Sequence, residues 1–76
     1  MNIYKTKDLG EASALITAGQ RLADIERQGP VCYFIFANRY ECEKISREYY
    51  FGELKLNARN FFNEQINLKH QIFSLK

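Results

Sequence analysis

Few side chains in this sequence have the type and spacing that catalysis or metal binding requires. His70 is the single histidine, and no serine, cysteine or aspartate near it completes a nucleophile and base arrangement. Cys32 and Cys42 cannot form a zinc site of usual ligand spacing with one histidine, and we interpret both as free structural thiols. The glycines, at positions 10, 19, 29 and 52, form no loop that could hold a phosphate. We therefore expect no enzyme activity, no metal and no cofactor.

Basic and aromatic side chains are the better candidates for function. Bases of single-stranded nucleic acid stack on exposed aromatic rings, while basic side chains contact phosphates. The candidate binding residues are Tyr4, Lys5, Lys7, Arg21, Tyr33, Lys55 and Arg59. The basic members could lie near one edge of a sheet, although a solvated surface is the simpler explanation. A net charge of +2 permits a DNA or RNA partner without requiring one.

Arg59 is predicted to lie in the first turn of the final helix, where a cation opposes the helix dipole. It is either paired with a carboxylate such as Glu53 or available for an anionic partner. Pairing is the simpler interpretation.

The length and composition predict one domain, residues 1–76, near the size at which a single core is only just sufficient. Hydrophobic residues make up 46% of the chain and aromatic residues 14%, which favours a compact fold over disorder. The sequence has neither an apolar run of membrane-spanning length nor a leader pattern, so we expect a cytoplasmic protein without a membrane partner.

The first elements are predicted from capping and turn residues. Ile3 to Lys5 is predicted as a short strand, Thr6 as the cap of a helix, and Gly19 as the end of that helix. The stretch Arg21 to Arg27 is predicted as a second strand in which Ala23 and Ile25 share a face.

The remaining elements follow the same kind of signals. Gly29 and Pro30 predict a hairpin turn into a third strand. Asn38 and Glu41 form a capping box that begins a second helix, and Asn57 is a candidate cap for a last helix ending near Phe73. The predicted fold is α+β, with a small, mostly antiparallel three-stranded sheet and three helices in the order β-α-β-β-α-α.

The third strand, VCYFIFA, is apolar on both faces. One face carries Cys32, Phe34 and Phe36, and the other carries Val31, Tyr33 and Ile35. Leaving the second set in water would forgo roughly 1.5 to 3 kcal/mol for each large side chain. Either the last helix crosses that face, or a second copy of the chain covers it, or it is a binding platform.

Part of the chain resembles RNA recognition motifs. The stretch YFIFANRYECEKI is similar to the third strand and second helix of that family, and IYK is similar to its first strand. The resemblance implies that Tyr4 and Tyr33 are stacking aromatics on adjacent strands. Val31 stands where the family has its second stacking ring, and a helix replaces the family's fourth strand.

A second resemblance covers nearly the whole chain. The stretches YKTKDLGEASALITAG, IERQG, FIFAN, ECEKISREYYFGE and NARNFFNEQINLKHQIF resemble a family of small bacterial and phage domains that has no assigned activity. The matching positions are Tyr4, Lys5, Thr6, Phe51, Gly52, Arg59, Phe61, Leu68 and Lys69. This resemblance implies the same layout and a phage or mobile-element context.

These observations favour a small, non-enzymatic binding module with DNA or RNA as the first candidate partner. The alternative is a protein-interaction module, in the form of a homodimer, that uses the apolar sheet face or the wide apolar arc of the last helix.

Overall fold

Residues 2–74 are described by a computed structural model and form one three-stranded sheet with three helices. The elements in chain order are β1 (Tyr4–Thr6), α1 (Leu9–Thr17), β2 (Leu22–Gln28), β3 (Val31–Phe36), α2 (Arg39–Tyr50) and α3 (Ala58–Ser74). The predicted α+β class and the predicted order β-α-β-β-α-α are confirmed.

The sheet has β3 at its centre, with β1 and β2 antiparallel on either side. The register pairs Tyr4 and Leu22 with Phe36, and it pairs Thr6 and Ile25 with Phe34. Because directly opposed residues point to the same side of a sheet, all of these side chains share one face. We call it the helix face.

The hydrophobic core lies between the helix face and the helices. Its buried members are Ala12, Leu15, Phe34, Phe36, Cys42, Ile45 and Leu68. Leu68 of α3 is fully buried in this cluster, and Ile72 packs against it. The last helix therefore lies on the helix face, packed against α1, and it does not cover the opposite face of the sheet.

An irregularity in β2 changes which of its side chains face the core. Leu22 pairs with Phe36 and Asp24 with Ile35, so one extra residue of β2 is accommodated between these two pairs. Such a bulge interrupts the alternation of side chains along a strand. Leu22 and Ile25 consequently pack against the core, whereas Ala23 is exposed. The predicted shared face of Ala23 and Ile25 is wrong for this reason.

Helix α1 begins at Leu9, two residues later than a cap at Thr6 would place its start. Asp8 is its N-cap, and the Asp8 carboxylate accepts a hydrogen bond of 2.8 Å from the Glu11 backbone N–H. Thr6 still belongs to β1, so the prediction that Thr6 caps this helix is wrong. The predicted end at Gly19 is confirmed, since Gly19 has a φ of 103° and the Gln20 N–H donates to the Leu15 carbonyl at 2.9 Å.

The other predicted turns and caps are present. Gln28 pairs with Val31 around a two-residue turn in which Gly29 has a φ of 61°, a conformation that favours glycine. The Asn38 side chain accepts from the Glu41 N–H at 3.1 Å at the start of α2. The Asn57 side chain accepts from the Asn60 N–H at 2.9 Å at the start of α3.

Candidate functional site

The face of the sheet opposite the helices, here called the open face, is partly covered by its own side chains. Ile35 is 8% exposed, and Val31 and Tyr33 are half-buried. Lys5 of β1 and Glu26 of β2 form a salt bridge of 3.1 Å, although β3 lies between their strands. The Lys5 Nζ atom also lies 5.4 Å from the centre of the Tyr33 ring. The salt bridge between Lys5 and Glu26 therefore covers part of the apolar open face of β3. We did not predict this arrangement.

The charges on the open face do not favour an anionic ligand. Asp24 and Glu26 lie on this face, opposite Ile35 and Tyr33, and both are acidic. Lys5 is occupied by Glu26, and its hydrogen bond and positive charge hold the pKa of the Glu26 carboxyl below its ordinary value. A phosphate approaching Tyr33 would meet two carboxylates and a lysine that is already paired.

Tyr4 and Tyr33 lie on opposite faces of the sheet. Tyr4 pairs with Phe36 on the helix face, whereas Tyr33 pairs with Glu26 on the open face. The prediction that the two rings form one stacking platform is wrong. A three-residue strand contains too little alternation to show which of its side chains points inward.

The predicted basic residues are exposed but divided among several parts of the surface. Lys5 and Lys7 belong to β1 and the segment after it, while Arg21 precedes β2 at the opposite edge of the sheet. Lys55 lies in the link between α2 and α3, and Arg59 lies in the first turn of α3. The structure does not place them along one edge.

Arg59 does not have the carboxylate partner that we expected. The ion pairs among residues 2–74 are Lys5 with Glu26 and Arg39 with Glu43. Arg59 and Glu53 are both exposed and form no ion pair with each other. The positive charge of Arg59 therefore opposes the dipole of α3, and Glu53 does not compensate for it.

A buried carboxylate joins three elements on the helix face. Glu11 of α1 is 3% exposed and accepts hydrogen bonds from the hydroxyls of Tyr4, Thr6 and Tyr50. The Thr6 bond measures 2.6 Å and the Tyr50 bond 3.1 Å. Because Tyr4 and Thr6 lie on β1 and Tyr50 lies on α2, this single carboxylate connects β1, α1 and α2.

Two further side chains complete this group, which we call the Glu11 cluster. The Tyr4 hydroxyl lies 3.2 Å from the Ser46 hydroxyl, and the Tyr50 hydroxyl lies 3.3 Å from the Asp8 carboxylate. Burial and the bond to Glu11 raise the pKa of Tyr4 to about 12. The same causes raise the pKa of Tyr50. Both phenols therefore remain protonated donors at neutral pH.

The hydrogen bonds of the Glu11 cluster hold secondary-structure elements together and leave no group free to act as a base. A general base needs a free lone pair within reach of a substrate, whereas the Glu11 carboxylate is buried and already accepts three hydrogen bonds. Within residues 2–74, every buried polar side-chain atom has a hydrogen-bond partner. We did not predict this cluster, because a charged side chain is expected at the surface and no local spacing signals its burial.

Tyr49 lies directly over the first turn of α1. A Cβ atom added to Gly10 would be 2.5 Å from the Tyr49 hydroxyl oxygen, closer than real contacts allow. Gly10 thus makes room for the Tyr49 hydroxyl beside the Glu11 cluster. Burial raises the pKa of Tyr49, with Asp8 and Glu11 adding to the shift.

Both cysteines are free, as predicted. Cys42 is fully buried in the core, and its sulfur lies 3.8 Å from the Gln20 side-chain oxygen. Burial raises the pKa of the Cys42 thiol to about 11, which leaves little reactive thiolate at neutral pH.

His70 lies on an open cleft of about 500 Å³ between β2 and α3. The cleft is lined by residues 22–25 on one side and by His70, Gln71 and Ser74 on the other. Ser74 donates to the His70 backbone carbonyl at 3.0 Å, and Asp24 accepts from the Ile25 N–H at 2.8 Å. The hydrogen bonds of these two side chains are therefore local and do not form a relay with the imidazole.

Helix α3 carries a second stripe with three apolar members beside the one that packs on the core, and its Phe73 lines a shallow pocket with Pro30 and Cys32. Leu68 and Ile72 point inward, while the outer stripe consists of Phe62, Ile66, Lys69 and Phe73. Spacings of four, three and four residues place the outer four on one side of a helix. Phe62 is 60% exposed, Phe73 is 70% exposed, and Ile66 is half-buried. The wide apolar arc predicted for this helix thus divides into a buried stripe and an exposed one.

Among residues 2–74, no helix is long and apolar enough to cross a membrane, and no group of three or more His, Cys, Asp or Glu side chains could hold a metal ion. Comparison of the chain with family models, with curated proteins and with solved structures found no match.

Proposed function

We propose that this protein is a small, non-enzymatic interaction module that associates with a second copy of itself through the outer stripe of α3. The observation that carries the proposal is the exposure of two phenylalanine rings, Phe62 and Phe73, on one side of the same helix. The inner side of α3 already completes the core through Leu68. Exposed aromatic groups of this kind are enriched at protein interfaces.

The area of the outer stripe is consistent with a weak dimer. A phenylalanine ring can bury on the order of 200 Å², so pairing the stripes of two copies would remove roughly 500 Å² of ring surface from water. This is well below the roughly 1,200 Å² that specific, stable interfaces bury, so the stripe supports only a weak association. We therefore expect dimers only at high protein concentration.

Three features make self-association a better proposal than nucleic-acid binding. The two candidate stacking tyrosines point to opposite faces of the sheet. The open face around Tyr33 carries Asp24 and Glu26. The candidate basic residues belong to separate parts of the surface. A phosphate backbone is bound by several cations that act together, and none of these surfaces groups them.

Light scattering over a range of concentrations tests the proposal. The mass should approach twice the monomer mass of 9.0 kDa at about 100 μM protein. The double variant Phe62→Glu/Phe73→Glu should remain a monomer with an unchanged circular dichroism spectrum. Phe51→Glu is the matched control, because Phe51 is 74% exposed but lies at the end of α2. This control should dimerise as the original chain does.

Two results would overturn the proposal. One is a monomeric mass at every concentration, and the other is equal dimerisation of the double variant and the original chain. A gel-shift assay with a single-stranded oligonucleotide distinguishes the competing function. Retardation by micromolar protein that weakens steeply between about 50 and 200 mM salt would favour nucleic acid instead.

A further inference from the structure

We infer that Asp24 prevents the free edge of β2 from pairing with strands of other chains. An edge strand exposes a row of backbone N–H and C=O groups, which can pair with a strand of another molecule. Asp24 binds one of these N–H groups with its own side chain. It thereby opposes association between sheets, and this role is independent of the proposed contact through α3.

The sheet has two edges, and β2 forms the longer one. The strand order is β1-β3-β2, so the outer side of β2 has no ladder partner among residues 2–74. Strand β1 has only three residues, a length that offers little for another strand to pair with, whereas β2 has seven. An open cleft of about 500 Å³ lies between residues 22–25 and α3, so α3 as described leaves this edge accessible.

Only part of β2 has the regular spacing that an added strand needs. The bulge interrupts the strand, so regular pairing with β3 runs from Asp24 to Gln28. In a hairpin with a two-residue turn, the residues that flank the turn exchange hydrogen bonds, and bonded pairs alternate from there. The even-numbered residues from Gln28 back to Asp24 therefore bond to β3. The backbone N–H and C=O groups of Ile25 and Arg27 point outward instead.

Asp24 occupies one of these outward donors. Its carboxylate accepts a hydrogen bond of 2.8 Å from the Ile25 N–H. Because Ile25 and Arg27 supply the two outward donors of the regular stretch, this bond occupies one of the two. An added strand would have to bring a carbonyl oxygen to the Ile25 N–H, and the nearby carboxylate would repel that oxygen. The exposed Asp24 side chain also places a charge at the edge, which is a common protection of edge strands.

Hydrogen exchange measured by NMR tests the bond at single amides. In the original chain, the Ile25 amide should exchange about tenfold more slowly than the Arg27 amide after correction for intrinsic rates, because of these two only the Ile25 amide has a hydrogen-bond partner within residues 2–74. Asp24→Ala should remove this difference, whereas Asp24→Asn keeps an acceptor oxygen and should keep most of the protection. Asp24 is exposed, so neither replacement should disturb the fold. Equal exchange of the two amides in the original chain, or unchanged protection in Asp24→Ala, would overturn the inference.

Light scattering tests the consequence for association in the Phe62→Glu/Phe73→Glu background, which removes the outer stripe of α3. In this background Asp24→Ala should form dimers or larger species at about 100 μM protein. The Arg27 amides of these species should become protected, because the edge is then paired. Glu53→Ala raises the net charge equally but lies in the link between α2 and α3, and it should remain monomeric. A monomeric Asp24→Ala variant, or equal association of the two variants, would remove the assigned role of Asp24.

Each proposal has its own result that would overturn it. Dimerisation that is unaffected by Phe62→Glu/Phe73→Glu contradicts the proposed function and leaves the Ile25 amide protected. Equal exchange of the Ile25 and Arg27 amides contradicts the role of Asp24 and leaves the dimer of the original chain unchanged.

Discussion

The hydroxyl of Tyr4 donates a hydrogen bond to the carboxylate of Glu11 and thereby ties the first strand to the first helix. Glu11 is nearly inaccessible to water, and the hydroxyls of Thr6 and Tyr50 bind the same group. A small domain has few buried polar groups, so losing any of these bonds should cost a measurable part of its stability.

Replacing Glu11 by Gln should lower the free energy of unfolding by about 1–3 kcal/mol. An amide offers one acceptor oxygen where the carboxylate offers two, and its NH₂ group would face hydroxyls that now act as donors. Urea denaturation followed by circular dichroism measures the change. Glu53→Gln, at an exposed position, is the control and should differ little from the original chain. A Glu11→Gln variant of unchanged stability would show that the cluster contributes nothing to the fold.

Alkaline pH should destabilise the protein through Tyr4. Its folded-state pKa is about 12, above the ordinary value of 10.0, because burial and Glu11 disfavour the phenolate. The resulting contribution to stability is complete below pH 10 and is lost as the pH rises from 10 to about 12. Urea denaturation at several pH values should show a shallower alkaline loss for Tyr4→Phe than for the original chain. Tyr40→Phe, at a residue that is 72% exposed, should keep the original slope.

A double-mutant cycle should detect the contact between Gly10 and Tyr49. Gly10→Ala alone should be destabilising, because the new methyl group would lie 2.5 Å from the Tyr49 hydroxyl. Adding Tyr49→Phe removes that oxygen, and the intrinsic preference of alanine for helices should then recover part of the loss. We expect a coupling free energy of about 1 kcal/mol from urea denaturation of the four proteins. Additive effects would mean that the Tyr49 side chain moves aside without cost and that the contact does not couple the two positions.

The layout could be predicted because its signals are local in the sequence. Asn38 and Glu41 identify a helix start within four residues, and Gly29 with Pro30 identifies a tight turn. The division of β3 into two faces also follows from simple alternation, and the register confirms it.

The parts that could not be predicted depend on contacts between distant segments. The bulge near Ala23 places Leu22 on the same helix face as Ile25. Nothing in the seven residues of β2 shows where the strand gains its extra residue. The burial of Glu11 depends on Tyr50, which is 39 positions away in the chain. A charged side chain is expected at the surface, so neither composition nor periodicity pointed to this one.

The order of strands in the sheet also has a consequence for synthesis. Both edge strands precede the central one in the chain, and β1 pairs only with β3. On the ribosome, neither edge strand has a ladder partner until Val31–Phe36 has emerged. The α1 segment must wait for the same event before it can bury its apolar side chains against Phe34 and Phe36. Nascent chains that stop short of this segment should therefore remain without a sheet.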